Sequence, residues 1–358
     1  MSAYKDEKTG KWYVFFYYRD HTGKNKGKTK RGFPTKREAL EWEREFKQTQ
    51  SENLEMSFSS FVEVYSEYIR PRIKHNTWLS KKNVIDSKLI PYFGDKAMNS
   101  ITANEITKWQ SSLMNHQDEN GKPFSPVYLR TIHSQLASIF NYAERFHDLK
   151  GNPTKKAGGM GKKKGREMEF WTKEEYLLFA DEMRDKPLSF YVFEVLYWCG
   201  LRVGELLALT PKDVDFEKKT ITINKSYQRL EGKDYITTPK TEKSNRIISI
   251  SDFLAEELQE YIQRLYEIEE DDRLFQVTSH YLTHEMERGC KASGVKKIRL
   301  HDLRHSAISL LIELGFTPLA IASRMGHESI DITLNYAHLY PSKQIEMAEK
   351  LNIERGDE

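Results

Sequence analysis

The stretch from Leu300 to Tyr340, LHDLRHSAISLLIELGFTPLAIASRMGHESIDITLNYAHLY, concentrates side chains that can do chemistry on a phosphate. His301 and Arg304 are three residues apart, so a helix beginning there places them on one face. His327 follows in the triplet MGH, and Tyr336 lies nine residues beyond it. A tyrosine hydroxyl is a weak nucleophile unless cations and a proton acceptor surround its target. These basic surroundings suit attack on a phosphodiester.

A second motif lies upstream in the segment GLRVGEL, which contains Arg202 and Glu205. Together with HDLRH, MGH and the tyrosine within TLNYAH, it resembles the motifs of the tyrosine recombinases, the phage integrase family. Several separate motifs occur in the same order at compatible spacing, so the resemblance is specific. A lone HxxR would be weak evidence.

Two arginines and one lysine are the candidate cationic catalysts. A guanidinium presents paired donors that match phosphate oxygens, so Arg202 and Arg304 are expected to neutralise the scissile phosphate and its transition state. The leaving 5′-oxygen needs a proton, and Lys240 in PKTEKSNR matches the lysine that the family carries near a hairpin tip. Lys243, on the same predicted tip, is the rival for this role.

The resemblance also assigns the remaining site residues. Tyr336 is the nucleophile, and His301 is its general base or hydrogen-bond partner, since a histidine titrates near neutral pH. His327 matches the position that hydrogen-bonds the scissile phosphate, and Glu205 matches an acidic residue that holds a neighbouring side chain in place. His305 and His338 are expected to have structural or supporting roles.

The implied reaction is two successive transesterifications through a 3′-phosphotyrosyl intermediate. The covalent link keeps the energy of the phosphodiester, so no ATP, metal ion or other cofactor is expected. The sequence contains neither a Walker motif nor a carboxylate cluster spaced for magnesium.

The charge distribution points to a polyanionic partner. The 358-residue chain has a net charge of only +3, but residues 1–37 carry eleven Lys or Arg against three acids. Residues 150–166 carry seven Lys or Arg and no acid. Such asymmetry indicates nucleic acid contacted by particular segments, although solvated faces or tethers would also explain it. The candidate DNA contacts are Lys24, Lys26, Lys28, Lys30, Arg31, Lys162, Lys163 and Lys164.

The N-terminal segment is predicted to be a small sheet with one helix. Residues 11–19 read as a strand, 20–28 as a turn, and 28–33 as a second strand. Thr35 and Glu38 form a capping box that opens a helix to about Gln48. This unit resembles the arm-binding domain of many phage and conjugative-element integrases, and the alternative is a generic small β/α module.

Helical patterns follow, with further capping boxes at Thr102–Glu105 and Thr172–Glu175. Strands are predicted at residues 220–227 and 245–250, and helices from His301 onward. The predicted fold is multidomain α+β. A small N-terminal sheet-plus-helix domain, 1–55, precedes a helical, SAM-like core-binding domain, 56–150. A flexible basic linker, 151–167, leads to a mostly α catalytic domain with a small sheet, 168–358.

The sequence thus predicts a site-specific integrase that cuts and rejoins DNA at the attachment sites of a phage or mobile element. Three alternatives stay open: a chromosome-dimer-resolving recombinase, a type IB topoisomerase, and a non-catalytic DNA-binding protein on a decayed integrase scaffold. The extra basic N-terminal domain argues against the first, and the complete residue set argues against the last.

The partners expected from the resemblance are double-stranded DNA and three further copies of the chain, assembled as a homotetramer on the DNA. A directionality factor and a host DNA-bending protein are additional candidates, and the tail beyond Tyr340 is a candidate for docking on a neighbouring subunit. Cys199 and Cys290 form no disulfide framework, and no signal peptide or membrane span is recognisable. The expected location is the cytoplasm of a bacterial host, at the nucleoid when bound to DNA.

Overall fold

A computed structural model describes residues 3–7, 9–19, 25–52, 54–162, 168–239 and 242–336. The chain divides into two compact units, residues 1–166 and 167–358. The predicted fold class is confirmed: a small sheet with one helix, then a helical domain, then a mostly helical domain with small sheets. His338 and the tail beyond Tyr340 lie outside the described residues.

A three-stranded antiparallel sheet with one helix begins the first unit. The strands are β1 (Ala3–Lys5), β2 (Trp12–Arg19) and β3 (Asn25–Phe33), in the order β1-β2-β3, and the helix is α1 (Lys36–Glu52). Val14, Phe16 and Ala39 form the buried contact between sheet and helix. The turn predicted over 20–28 is wrong for residues 25–28, which pair with β2 as part of β3. Cross-strand pairing overrides the local preference of Asn25 and Gly27 for a turn.

The first helix extends beyond the end predicted for it near Gln48. Helix α1 continues to Glu52, and Leu54 is buried in the core of the helical domain that follows. The predicted capping box is present, because the Glu38 amide donates to the Thr35 hydroxyl at 3.2 Å. Polar residues do not by themselves end a helix without a glycine or proline.

Six helices make the helical domain: α2 (Phe58–Ile69), α3 (His75–Val84), α4 (Ile90–Phe93), α5 (Ala103–Met114), α6 (Pro126–Phe146) and α7 (Pro153–Ala157). A wider, π-type turn over Ile85–Leu89 joins α3 to α4. The buried face of α6 is an apolar stripe, with Ile132, Leu136 and Phe140 fully inside the core. This domain is therefore organised around α6.

The first half of the segment predicted as a flexible linker is ordered. Asn152 caps α7, because its side-chain oxygen accepts from the backbone amide of the buried Thr154 at 3.0 Å and from the Thr154 hydroxyl at 2.6 Å. The Gln110 amide donates to the Gly158 carbonyl at 2.8 Å, and Met160 lies in the core beside α6. A Gly- and Lys-rich composition predicts flexibility only where no side chain finds a core, so the expectation is wrong for residues 152–160.

Truncating Met160 is therefore expected to destabilise the helical domain. Met160→Ala should lower its free energy of unfolding by about 3 kcal/mol, because a side chain only 5% exposed leaves a cavity. Hydrogen exchange of peptides from α6 measures this change. The control is Met114→Ala, at a position 47% exposed, which should change protection little. Equal effects at both positions would show that residues 152–160 do not pack as described.

The second unit surrounds the apolar helix α9. Its helices are α8 (Lys173–Glu182), α9 (Pro187–Cys199), α10 (Val203–Leu206), α11 (Asp252–Gln263), α12 (Ser279–Ser293), α13 (Asp302–Glu313), α14 (Pro318–Met325) and α15 (Ile330–Leu334). Its strands are β4 (Val214–Asp215), β5 (Thr220–Ile223), β6 (Ser226–Leu230), β7 (Lys233–Thr237) and β8 (Arg246–Ser249). Cys199 and Cys290 are both buried and unpaired. Among the described residues, no helix is both long and apolar enough to cross a bilayer.

The strands form two small antiparallel sheets, β4-β5-β8 and β6-β7. The single strand predicted over 220–227 is wrong, because β5 and β6 belong to different sheets. The turn of the β6-β7 hairpin is at Glu231–Gly232, and the segment 238–245 leads from β7 to β8. Lys240, predicted near a hairpin tip, lies outside the described residues.

Candidate active site

Arg202 is positioned by the end of the central helix. Gly200 ends α9 in the left-handed conformation, with φ 64°. This left-handed conformation favours glycine, and a Cβ at Gly200 would also lie 2.6 Å from Cε of Met325 on α14. The chain then turns at Leu201 and presents Arg202 at the start of α10. The side chain of Arg202 is 33% exposed, so its guanidinium reaches both the protein and the solvent.

Glu205 is a buried carboxylate that holds two arginines. Arg202 donates to one carboxylate oxygen at 2.6 Å, and Arg246 donates to the other at 3.0 Å. Burial raises the pKa of Glu205, but the hydrogen bond and charge of Arg246 and the charge of Arg202 outweigh it and hold the pKa below its ordinary value. Arg246 also donates to the Arg324 and Ser244 carbonyls. Glu205 is therefore ionised at neutral pH and fixes the guanidinium of Arg202.

Arg304 lies on the inner face of α13 and ties two helix ends together. Its guanidinium donates to the Gly200 carbonyl at 2.8 Å and to the Met325 carbonyl at 2.7 Å. The residue is only 3% exposed. Burial, together with the charge of Arg202, lowers its pKa to about 9, so it stays cationic at neutral pH. A cation at the carbonyl ends of helices is favourable, because those ends carry partial negative charge.

His327 follows the glycine that ends α14. Gly326 has φ 65°, and a Cβ there would lie 2.9 Å from the Lys243 carbonyl oxygen, so this crossing also requires glycine. Nδ1 of His327 is 2.8 Å from the hydroxyl of Thr333, which is fully buried on α15. Burial and the charge of Arg304 lower the pKa of His327 to about 4, so its ring is neutral at neutral pH.

Tyr336 follows α15, and its ring packs in a small core with Ala307 and Met325. It is 4% exposed, and burial raises the pKa of its hydroxyl to about 12. The hydroxyl contacts Nδ1 of His305. The contact expected from His301 is therefore made by His305, whose ring lies 5.0 Å from that of His301 between centroids.

His301 occupies the N-cap of α13 and is exposed at the edge of the site. Partial burial of its ring and the charge of Arg304 lower its pKa. Lys240 falls outside the described residues. The rival Lys243 donates to the Glu328 carbonyl at 2.9 Å, beside His327. The structure thus brings together Arg202, Glu205, His301, Arg304, His327 and Tyr336.

The candidate DNA-contacting residues do not share one surface. Lys28 and Lys30 pair with Phe16 and Val14, so they lie on the sheet face that α1 covers. Arg31 pairs with Tyr13 on the open face, where its guanidinium lies 5.4 Å from the ring centroid. Lys162 is exposed. Lys24, Lys163 and Lys164 fall outside the described residues, and the side chain of Lys26 is not described.

The buried histidines predict a loss of stability in acid. An unfolded histidine has a pKa near 6.5, whereas the pKa values of folded His327 and His305 are lowered to about 4. Between these pH values the unfolded chain therefore binds more protons than the folded chain. The contribution of these histidines to the free energy of unfolding should therefore be fully present above pH ~6.5 and decrease as the pH falls toward ~4. Between pH ~6.5 and ~5, His327 should contribute about 2 kcal/mol to this fall.

Urea unfolding near pH 7 and near pH 5 measures this contribution, with His327→Asn as the comparison. Asparagine keeps a polar partner for Thr333 and does not titrate in this range. The variant should lose less stability than the wild type by about 2 kcal/mol. The same loss in both proteins would contradict a neutral, buried His327.

Two residues of the site have contacts that the sequence did not predict: His305 was expected to have only a structural or supporting role, and Arg246 was not named at all. His305 is four residues after His301, a spacing that places both on one helix face. Arg246 begins β8, immediately after the segment that contains Lys240, but its partner Glu205 is 41 residues away. The spacing could have indicated His305, whereas Arg246 could be found only from the tertiary structure.

Three family models match the chain in succession. Residues 2–50 match an arm DNA-binding domain, 57–114 match the N-terminal SAM-like domain of phage integrases, and 169–343 match the phage integrase family. The chain belongs to the phage integrase family, and it is a site-specific recombinase of the tyrosine type.

Among its relatives is the ICEBs1 integrase of Bacillus subtilis (strain 168). The two are 33% identical over 338 residues, which span 89% of this chain and 90% of the relative. The transposase from transposon Tn916 of Enterococcus faecalis is 26% identical over 318 residues, covering 81% of this chain and 76% of the relative.

Solved structures share the fold. The Tn1549 transposon integrase in complex with a circular intermediate DNA has a TM-score of 0.66 at 23% identity, covering 82% of this chain and 98% of that one. A lambda integrase tetramer bound to a Holliday junction has a TM-score of 0.60 at 19% identity, covering 96% of this chain and 95% of that one.

Proposed function

We propose that this chain cuts and rejoins double-stranded DNA at the attachment sites of a mobile element, with Tyr336 as the nucleophile. The observation that carries the proposal is that Tyr336 and Arg304 both contact Met325: the Tyr336 ring packs in a core with its side chain, and Arg304 donates to its carbonyl at 2.7 Å. The attacking oxygen and a phosphate-binding cation therefore belong to one site on one subunit. The relatives named as an integrase and a transposase supply the context for this proposal, not the residue roles.

Arg202 and Arg304 bind the scissile phosphate in this proposal. Arg202 keeps part of its guanidinium toward solvent while Glu205 fixes its orientation. Arg304 uses one donor of each terminal nitrogen on a helix-end carbonyl, and its remaining N–H groups are available to a phosphate. Two cations held in place before the substrate arrives stabilise the charge that develops on the phosphoryl oxygens.

His327 and His301 complete the phosphate site. Thr333 holds Nδ1 of His327, which leaves Nε2 without a hydrogen-bond partner among the described residues. If Nδ1 accepts the Thr333 hydroxyl proton, Nε2 carries the ring proton and can donate it to a phosphate oxygen. His301, exposed beside Arg304, is proposed to donate to a second phosphate oxygen.

Lys240 is proposed to protonate the leaving 5′-oxygen. The segment that contains it joins β7 to β8, and Arg246 at the start of β8 contacts Glu205 in the site. The strand connection therefore ends at the active site. After cleavage the phosphoryl group stays on Tyr336, and the 5′-hydroxyl of a partner duplex attacks it to reseal the strand. Neither ATP nor a metal ion is part of this proposed cycle.

The N-terminal domain, residues 2–50, favours an integrase over the alternative functions that the sequence left open. An arm DNA-binding domain model matches residues 2–50, ahead of the SAM-like domain. We propose that this domain contacts arm-type DNA sites through the open sheet face that carries Arg31 and Tyr13. Lys24, Lys26, Lys28, Lys30 and the lysines of 162–164 are proposed to add phosphate contacts of lower specificity.

The proposed assembly is a homotetramer on DNA, because two pairs of strand exchanges require four active sites. The related lambda integrase forms a tetramer on a Holliday junction. A directionality factor and a host DNA-bending protein are proposed as accessory partners. The reaction is proposed to take place in the cytoplasm of a bacterial host, where the DNA of such elements lies.

A covalent-trapping assay tests the proposal. The substrate is a labelled suicide duplex with a nick beside the cleavage position. Its sequence is the attachment-site junction of the mobile element that encodes this chain. Incubation in EDTA should give a protein–DNA product that survives denaturing electrophoresis, with a free 5′-hydroxyl on the released strand. A DNA-binding protein without catalysis would shift the duplex in a native gel and leave no covalent product, and that result would overturn the proposal.

A further inference from the structure

The Tyr336 hydroxyl has a specific neighbour for which the reaction above gives no role. In HDLRH, His305 follows the phosphate-binding Arg304, and its Nδ1 contacts the phenol. On the other side of the imidazole, Nε2 lies 3.8 Å from a carboxylate oxygen of Asp302. Tyrosine, imidazole and carboxylate thus form a continuous row.

We propose that His305 accepts the proton of Tyr336 during strand cleavage and that Asp302 positions its imidazole. The proposal rests on the proposed function, since it assigns a role in the same reaction. A neutral imidazole that accepts at Nδ1 carries its proton on Nε2, which faces Asp302. At 3.8 Å the carboxylate does not hydrogen-bond the ring, but a nearby carboxylate oxygen favours the proton on Nε2 and stabilises the imidazolium that forms.

Asp302 is itself fixed by its surroundings. It is 1% exposed, and Arg299 donates to it through its backbone amide at 2.9 Å and through Nε at 3.0 Å. A second guanidinium nitrogen of Arg299 donates to the other carboxylate oxygen at 2.7 Å. These donors keep the carboxylate in one orientation. It therefore stays in a fixed place beside the His305 ring.

The proton balance of the step is complete. As the Oη–P bond forms and the P–O5′ bond breaks, the proton of Oη moves to Nδ1 of His305, and Lys240 gives a proton to O5′. In the second transesterification these transfers reverse: the proton of the attacking 5′-hydroxyl goes to the lysine, and Tyr336 recovers its proton from His305.

The arrangement also keeps the nucleophile inactive in the absence of DNA. Burial raises the pKa of Tyr336 to about 12, whereas burial and the neighbouring His301 lower that of His305 to about 4, so the proton stays on the phenol. A phosphate bound at Arg304 would change both values. Its negative charge favours the imidazolium, and bringing the phenol oxygen to the cations favours the phenolate. Proton transfer is therefore coupled to occupation of the phosphate site.

His305→Asn tests the inference, because asparagine keeps a hydrogen-bonding group near the position of Nδ1 but cannot accept the proton. We expect single-turnover cleavage of the suicide duplex to slow by about 10²-fold or more, with DNA binding unchanged. The matched control is His284→Asn, an exposed histidine on α12, which should cleave at the wild-type rate. Cleavage by His305→Asn within about threefold of wild type would overturn the inference.

A second substrate separates the two proton transfers. A sulfur atom in place of the bridging 5′-oxygen leaves as a thiolate and needs no proton. This substrate should restore cleavage by Lys240→Ala but not by His305→Asn. Restoration of both variants would contradict a role for His305 on the phenol.

Rescue of cleavage by added imidazole is a further test that does not depend on the asparagine substitution. His305→Ala opens a space beside the phenol, and imidazole should accelerate its cleavage while leaving the wild type unaffected. No acceleration of a folded, DNA-binding His305→Ala would count against the proton acceptor. If wild type itself forms no adduct, the proposed function fails; if wild type cleaves and the His305 variants match it, only this inference fails.

Discussion

Tyr336→Phe is expected to form no covalent protein–DNA product while binding the attachment-site duplex as tightly as wild type. The reaction has no oxygen nucleophile once the phenol is removed. The phenyl ring still packs against Ala307 and Met325, so only the contact with His305 is lost. The free energy of unfolding should therefore change by only about 1 kcal/mol. Suicide-substrate trapping, gel shift and urea unfolding measure the three quantities.

Tyr281→Phe is the matched control for this substitution. Its hydroxyl lies 3.0 Å from the Ser189 hydroxyl, away from the phosphate-binding residues, so the variant loses a comparable contact. It should retain full cleavage. A covalent product from Tyr336→Phe, or its loss from Tyr281→Phe, would show that the nucleophile is a residue other than Tyr336.

The two active-site arginines should respond differently to truncation. Arg202→Ala should reduce cleavage by about 10²- to 10³-fold through the loss of transition-state stabilisation. Its effect on stability should be small, since Glu205 keeps its ion pair with Arg246. Arg304→Ala should reduce cleavage at least as much and also lower the free energy of unfolding by about 3–5 kcal/mol. The added loss arises because the Gly200 and Met325 carbonyls lose a buried charged donor.

Lysine at position 304 should not restore either property. One ammonium group cannot reproduce the planar fork that reaches two carbonyls and a phosphate together. Arg264→Ala, which removes an exposed arginine paired with Glu260, is the control and should leave cleavage and stability unchanged. Equal stability of Arg202→Ala and Arg304→Ala would show that Arg304 does not tie the helix ends as described.

Short-range features of this fold could be predicted from the sequence. The capping boxes at Thr102–Glu105 and Thr172–Glu175 are present with both of their hydrogen bonds. Each depends on residues three apart, which the chain brings together as soon as a helix forms. The fold class was predictable for a related reason, since the periodicity of α6 and the aromatic and β-branched composition of β2 are local patterns.

Long-range contacts decided the features that could not be predicted. The pairing of β5 with β8 leaves β6 and β7 as a separate hairpin, and no local pattern in 220–250 indicates that choice. The order of residues 152–160 depends on a place for Met160 in a core built by distant helices. Local composition cannot reveal such a place.

The candidate site shows the same division. The motifs named most of the residues, but the partner of the Tyr336 hydroxyl depends on how α13 and α15 approach each other. Two histidines one helical turn apart are indistinguishable by type, and only the packing selects His305 over His301. Likewise, the pairing of Arg246 with Glu205 closes a loop of 41 residues.

The most direct test of the central claim is to identify the amino acid that carries the DNA. The trapped covalent product is digested with nuclease and protease, and tandem mass spectrometry locates the residual nucleotide on its peptide. The expected result is a 3′-phosphate ester on the phenolic oxygen of Tyr336. A nucleotide on another residue, or one linked through its 5′-phosphate, would contradict the account.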